Sequence, residues 1–249
     1  MISTGPNGPE TPATVGLPFE RLKIPSGARL LDAYLVEASS TCRLHTAVLI
    51  FHGVGETISQ WVNVQRLLHD RCISSVVFDY SGNGDSSPPG TVRNLHEDAI
   101  AAYTLFQARF VATSGVCVLG FSMGNAVLLD AYTEFHPWPT CMIVGSAFSS
   151  ARDGAALAWG IPRWIAHALP DQWNNVAAIS HSHSPLLVLH SDADSSNPLW
   201  MGERIYQAAP QPKRLVILHG LRHNAAYRGP IEQWWAPAIT FIEEAGTTF

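Results

Sequence analysis

Between Val116 and Phe135 the chain reads as an apolar strand, a tight turn and a helix, and no other segment constrains its fold as strongly. Val116–Leu119 is the strand, Gly120-Phe121-Ser122-Met123-Gly124 the turn, and Ala126–Phe135 the helix, stopped before Pro137. A strand that passes into a helix within so few residues crowds its own backbone, and glycines on both sides of a serine relieve that crowding. Ser122 would then stand at the head of a sheet, with a helix N-terminus beside it that favours developing negative charge. The bland alternative is an ordinary glycine-rich strand-to-helix turn.

The rest of the chain supplies a sheet for that turn to sit on. From Phe19 onward, short β-rich runs alternate with helical patterns, which is the signature of an α/β fold. Phe19–Ile24 and Leu30–Glu37 flank Pro25-Ser26-Gly27 and read as an opening hairpin. His45–Phe51 and Ser75–Tyr80 are continuous apolar runs that suit parallel strands buried on both faces. Cys141–Val144, Leu186–His190 and Leu215–Leu218 are further strands, for about eight in all. Trp61, Val64 and Leu68 recur at helical spacing, and Leu95, Ala99, Tyr103, Phe106 and Phe110 line another helix. Asn94 with Glu97 resembles a reciprocal N-cap for that second helix. Leu199–Gln207 and Ile231–Glu243 complete the helices.

A chain of 249 residues with 47% hydrophobic residues can bury such a sheet in one domain. Residues 1–15, rich in Gly, Pro, Ser and Thr, are expected to be a disordered tail, and 16–249 the domain. That start has neither a basic end nor an apolar core, so no signal peptide is expected. Charged residues make up only 14% and the net charge is −5, which argues against nucleic-acid binding. No apolar run approaches the roughly 20 residues of a bilayer span, so no stable membrane insertion is expected. The cysteines at 42, 72, 117 and 141 lack metal-type spacing and read as buried, reduced thiols, with a cytoplasmic location as the default.

A serine hydroxyl needs a base, and the base needs a carboxylate to orient it. Two strand-end loops downstream supply both. His190-Ser191-Asp192-Ala193-Asp194 follows one strand, and His219-Gly220-Leu221-Arg222-His223 follows another. Only His219 and His223 come after Asp194. His219 abuts its strand and is expected to be packed, whereas His223 lies far enough along to swing over Ser122. Upstream, His52-Gly53-Val54-Gly55-Glu56 ends a strand, and the N–H groups of Val54 and Met123 could jointly hold an oxyanion. His52 itself reads as a structural histidine bonded to loop backbone.

With these residues in view, the chain resembles the α/β-hydrolases, and among them small serine esterases of the monoacylglycerol-lipase and Bem46-like type. The resemblance spans residues 19–249 and rests on HGVGE at 52–56, YSGNGDS at 80–86, GFSMG at 120–124, HSDAD with the later NP at 190–198, and HGLRH at 219–223. It implies a mostly parallel eight-stranded sheet with helices on both faces and a short lid insertion. It also implies Ser122 as nucleophile, His223 as base, Asp194 rather than Asp192 as acid, and an oxyanion hole of Val54 and Met123. Ser191, Asn125 and Tyr80-Ser81 depart from the usual family residues without removing a catalytic atom.

The remaining candidates have plainer readings. Gly82-Asn83-Gly84-Asp85-Ser86 lacks phosphate-loop spacing and reads as a structural turn. His181 and His183 have no carboxylate or cysteine company, and Trp234-Trp235 read as core. The segment 151–184 is long enough for one or two helices, and its Trp159, Trp164 and Trp173 are expected to shield an apolar site. The expected activity is hydrolysis of a small-molecule carboxylic ester with a short-to-medium acyl chain, through an acyl-enzyme and with no metal or organic cofactor. Thioester or amide hydrolysis and acyl transfer use the same groups, and a silent binding protein on this fold is the reading from another class. The sequence sets no oligomeric state.

Overall fold

The structure, a computed structural model, describes residues 2–42, 45–166, 168 and 171–247; the side chains of Ala158, Trp159 and Arg163 lie outside the described set. Its strands are β1 (Glu20–Ser26), β2 (Arg29–Val36), β3 (Thr46–Phe51), β4 (Ile73–Phe78), β5 (Gly115–Phe121), β6 (Cys141–Gly145), β7 (Leu186–Ser191) and β8 (Lys213–Leu218). They form one sheet in the order β1-β2-β4-β3-β5-β6-β7-β8. The β1–β2 hairpin turns at Gly27, which takes a positive φ of 58°. β2 runs antiparallel to β4, and every pairing from β4 to β8 is parallel.

The continuous apolar runs follow from a sheet covered on both faces, because successive side chains point to opposite sides. Along β3, Ala47, Leu49 and Phe51 enter one core, while Val48 and Ile50 enter the other. The helices are α1 (Val62–Asp70), α2 (Val92–Arg109), α3 (Met123–Ala131), α4 (Ala151–Trp159), α5 (Arg163–Ala166), α6 (Asn175–Ile179), α7 (Leu199–Ala208) and α8 (Ile231–Thr247). α2, α3, α6 and α7 pack on the first face through Tyr103, Phe106, Leu128, Ile179 and Ile205. α1 and α8 pack on the second through Val64, Leu68, Trp234, Trp235 and Ile242. Each fully buried side chain of this size contributes roughly 1.5–3 kcal/mol, so the two layers carry the fold. The parallel strands end on a common edge, where the loops after β3, β5, β7 and β8 meet.

Three expectations need correction. The cap of α2 is Thr91, whose side chain accepts from the Asn94 N–H, while the Asn94 side chain donates to Pro89 O. Asn94 therefore lies inside the helix, and its pairing with Glu97 gives way to Glu97 salt bridges with Arg29 and Arg93. The cysteines are not free thiols: Cys42 pairs with Cys72 and Cys117 with Cys141. Cys117 and Cys141 are direct register partners on β5 and β6, a proximity that pairing of the strands creates and linear spacing conceals.

The third concerns the chain start. Residues 2–15 do not trail free. Ile2 N–H donates to Gly90 O, Thr4 N–H to Gly82 O, and Gly84 N–H to Thr4 Oγ1. Asn7 Nδ2 donates to Asp32, Gly8 N–H to Ser59 Oγ, and a short 3-10 turn spans Pro12–Val15. A side chain on Gly90 would overlap the Ile2 carbonyl. Glycines of the turn at 82–90, rather than the small residues of the tail, let the two backbones lie against one another. Among the described residues, no helix is long and apolar enough to cross a membrane.

Candidate active site

β5 delivers Ser122 to the sheet edge in a conformation that L-residues rarely adopt, with φ 50° and ψ −118°. Such a backbone is retained only where its surroundings over-determine it. Here Ser122 N–H donates to Gly145 O, and the Asn125 side-chain amide donates to both Ser122 O and Gly145 O. Asn125 thus ties the turn to β6, a use that its place in the sequence pattern did not suggest. A Cβ on Gly124 would overlap Phe51 O, and one on Gly120 would lie 2.6 Å from Asn125 Oδ1. Both glycines are steric necessities of the turn. α3 begins at Met123, so the Met123 N–H is one of the helix's unpaired first-turn donors.

The loops after β7 and β8 bring two aspartates and two histidines to the same edge, and they sort into separate pairs. Asp194 Oδ2 lies 2.7 Å from His223 Nδ1, and His223 Nε2 lies 3.1 Å from Ser122 Oγ. Asp194 Oδ1 accepts the N–H groups of Ser196 and Asn197, so both carboxylate oxygens are engaged in a buried position. Because a carboxylate only accepts, His223 donates from Nδ1 and leaves Nε2 to accept from the serine hydroxyl. Asp192 instead meets His219 at 2.7 Å and accepts the Gly220 N–H, which together hold its carboxyl below the usual range. His219, expected to be packed, has an exposed side chain and makes no bond to Ser122. His190 is buried, bonds Asn197 O through Nε2, and is pushed down in pKa by burial.

The His52–Glu56 loop faces Ser122 from the end of β3. His52 is buried, its Nδ1 donates to Gly53 O at 2.9 Å, and Tyr80 O–H donates to His52 O at 2.9 Å. The backbone N–H groups of Val54 and Met123 donate to no group among the described residues. Gly82–Ser86 is a structural turn with positive φ at Gly82 and Gly84, and Trp234 and Trp235 are core. His181 and His183 are exposed, and no group of three or more His, Cys, Asp or Glu among the described residues could hold a metal ion.

Residues 48–247 match the family model described as the alpha/beta hydrolase family. The chain belongs to the alpha/beta hydrolase family. This hydrolase is 28% identical over 219 residues to an uncharacterized protein of Mycobacterium tuberculosis, covering 81% of this chain and 76% of that one. It is 24% identical over 213 residues to a lysophosphatidylserine lipase of Danio rerio, covering 75% of this chain and 56% of the lipase. In fold it is similar to an esterase of Pyrococcus furiosus, with a TM-score of 0.78, 16% identity, and 98% and 99% of the two chains covered. It is also similar to the esterase Est1E of Butyrivibrio proteoclasticus, solved with ferulic acid bound, with a TM-score of 0.70, 17% identity, and 90% and 98% covered.

Between β6 and β7, the segment 151–184 forms α4, the single turn α5 and the short α6. This is one element more than expected. Its two described tryptophans differ in environment. Trp164 is 76% exposed, Trp173 packs partly buried against the first core, and the Trp159 side chain lies outside the described residues. Buried Ile179 of α6 and polar bonds hold the segment: Ser150 caps α4, and Asp153 takes Ser149 Oγ and Arg204. Tyr227 is a site residue that the sequence did not single out; an aromatic shortly after the HGLRH segment is the signal it carries.

Proposed function

We propose that this hydrolase cleaves carboxylic esters, with Ser122 as nucleophile, His223 as general base and Asp194 as the group that orients it. The observation that carries this reading is the unbroken path from Asp194 through His223 to Ser122 Oγ, in steps of 2.7 and 3.1 Å, at a strained strand-to-helix turn. In the reaction, Ser122 Oγ attacks the acyl carbon and its proton passes to His223 Nε2. Asp194 stabilises the imidazolium, and the unpaired N–H groups of Val54 and Met123 receive the oxyanion, each donor worth roughly 3 kcal/mol of barrier. His223 gives its proton to the leaving alcohol; it then takes one from water, which opens the acyl-enzyme.

A short-to-medium acyl chain fits a small cap in which Trp164 is exposed and Trp173 packs against the first core. The lipase among the relatives and the esterases among the structural neighbours support an ester bond as the target. The ordered pairing of all three groups favours an enzyme over a silent binding protein. On location, the two cysteine pairs weigh against the cytoplasmic expectation, because disulfides persist mainly in oxidising compartments.

The test is fluorophosphonate labelling together with rates on p-nitrophenyl esters of increasing chain length, using Ser122→Ala as control. Labelling and turnover should both depend on Ser122, with kcat/KM rising over the first acyl carbons and then flattening. Equal labelling of the variant would end the serine reading. A thioester or amide turned over faster than every ester would move the proposal to that class.

A further inference from the structure

Glu56 is a buried carboxyl that the proposed reaction does not use. It is 5% exposed, although Val54, two residues before it, is 61% exposed. Burial pushes its carboxyl above the usual carboxylate range, so the site pays for keeping an acid where an apolar residue would bury without a desolvation cost. Its Oε2 accepts the Gly53 N–H at 2.8 Å and the Trp61 indole N–H at 3.1 Å, and the Tyr227 phenol, whose pKa burial and the Glu56 charge raise, faces the same carboxyl.

These groups belong to different parts of the site. Gly53 lies in the loop that carries Val54, Trp61 ends the turn that leads into α1, and Tyr227 directly follows the 3-10 turn His223–Ala226. The Trp61 and Tyr227 rings lie 5.4 Å apart, and each lies 5.7 Å from Phe121. Phe121 precedes Ser122 and lies 5.2 Å from the His223 ring. Glu56 is therefore the polar centre of an aromatic floor shared by the nucleophile, the base and the Val54 loop. The approach is close: a Cβ on Gly53 would lie 2.6 Å from Glu56 Oε1.

Gly53 is held at both ends, its N–H by Glu56 and its C=O by His52 Nδ1. In a trans peptide the C=O and the following N–H point in opposite directions, so fixing Gly53 O also fixes the Val54 N–H. We propose that Glu56 is a positioning residue that locks the Val54 loop to Trp61 and the histidine loop, and so aims the Val54 N–H at the oxyanion. This rests on the serine mechanism and on the role given to Val54 above.

The experiment compares Glu56→Ala and Glu56→Gln with wild type on p-nitrophenyl butyrate, and measures inhibition by an alkyl trifluoromethyl ketone. Attack of Ser122 on that ketone leaves a hemiketal oxyanion in the hole, so its Ki reports the aim of the donors. Glu56→Ala should lower kcat by about 30–100-fold and raise Ki by a similar factor, with KM within about threefold. Glu56→Gln keeps one oxygen for Gly53 and Trp61 and can donate to the Tyr227 oxygen, so it should recover to within about fivefold of wild type. A Glu56→Ala protein whose kcat and Ki stay within about threefold of wild type overturns the proposal, as does a kcat loss with Ki unchanged. If Glu56→Ala does not fold, Trp61→Phe removes one bond to the carboxyl and should lower kcat about three- to tenfold; no loss overturns the proposal. Fluorophosphonate labelling of wild type is run alongside: its absence would refute the serine mechanism itself, whereas a labelled wild type with unaffected Glu56 variants refutes only this inference.

Discussion

The aromatic floor around Ser122 and the segment 151–184, proposed as its cap, are built on different principles. In the floor, Trp61, Phe121, Trp234 and Trp235 are all but completely buried, and their rings meet edge to face or tilted. In the cap, Leu157, Trp164 and Ile165 are 45%, 76% and 41% exposed, and hydrogen bonds to Asp153 and Asp171 help hold the segment. Acyl transfer needs its reacting groups fixed, since small misplacements cost large factors in rate. A wall that receives many acyl chains has no such need, and surface segments tolerate variation. Positional tolerance should therefore be lowest in the floor and highest in the cap.

The largest expected effect tests the floor. Ser122→Ala should lower kcat by about five orders of magnitude with its thermal unfolding midpoint unchanged, because the substitution removes the nucleophile but no packing. Surviving turnover would mean that the fixed geometry serves something else. Next, His223→Ala should be comparably damaging, while His219→Ala should stay within about twofold of wild type in steady-state assays. The reverse order would exchange the two aspartate–histidine pairs.

The cap gives a smaller effect. Trp164→Ala should change stability by less than about 0.5 kcal/mol in urea titrations, since so exposed a ring has little burial to lose. It should leave kcat/KM for p-nitrophenyl acetate unchanged and alter that for the octanoate by less than about fivefold. A much larger loss confined to the octanoate would show that the cap closes on long chains, and would erase the contrast with the floor.

An effect on stability alone, and only at low pH, lies at the end of α3 and the turn after it, where His96 on α2 bridges Asp130 and Glu134 at 2.8 Å each. Burial works against its charge, but the two carboxylates outweigh it and raise its pKa. A histidine with a raised folded-state pKa contributes stability that is fully present below its unfolded value, about 6.5, and is lost as pH rises through the folded value. His96→Ala should thus cost under about 1 kcal/mol near pH 5.5 and nothing near pH 9, with salt reducing the difference. An equal cost at both values would indicate packing rather than charge.

The sequence made the strand-to-helix turn legible because its determinants are local. Val116–Leu119, the glycines around Ser122 and the helix that follows act over one strand and one turn, where steric rules apply residue by residue. The alternation of buried strands and helices was legible for a similar reason, since β3 and β4 must be apolar throughout to face two cores. Other features depend on neighbours that are distant in the chain. Composition pointed to a free tail at residues 1–15, yet Ile2 and Thr4 bond into a trough made by Gly82, Gly84 and Gly90.

Residue order by itself determined that Ser122 would stand at a sheet edge, with candidate acids and bases in later loops. It could not decide which aspartate meets which histidine, because Asp192 and Asp194 differ by two residues and only the crossing of the loops after β7 and β8 sets their partners. Nor could it pair Cys117 with Cys141, which become neighbours only when β5 and β6 align. It likewise gave Glu56 no role beyond a loop residue; the folding of Trp61 and Tyr227 around it created one. Local backbone chemistry is written in short spacings, whereas the partners of a buried polar group depend on which distant segments the sheet brings together.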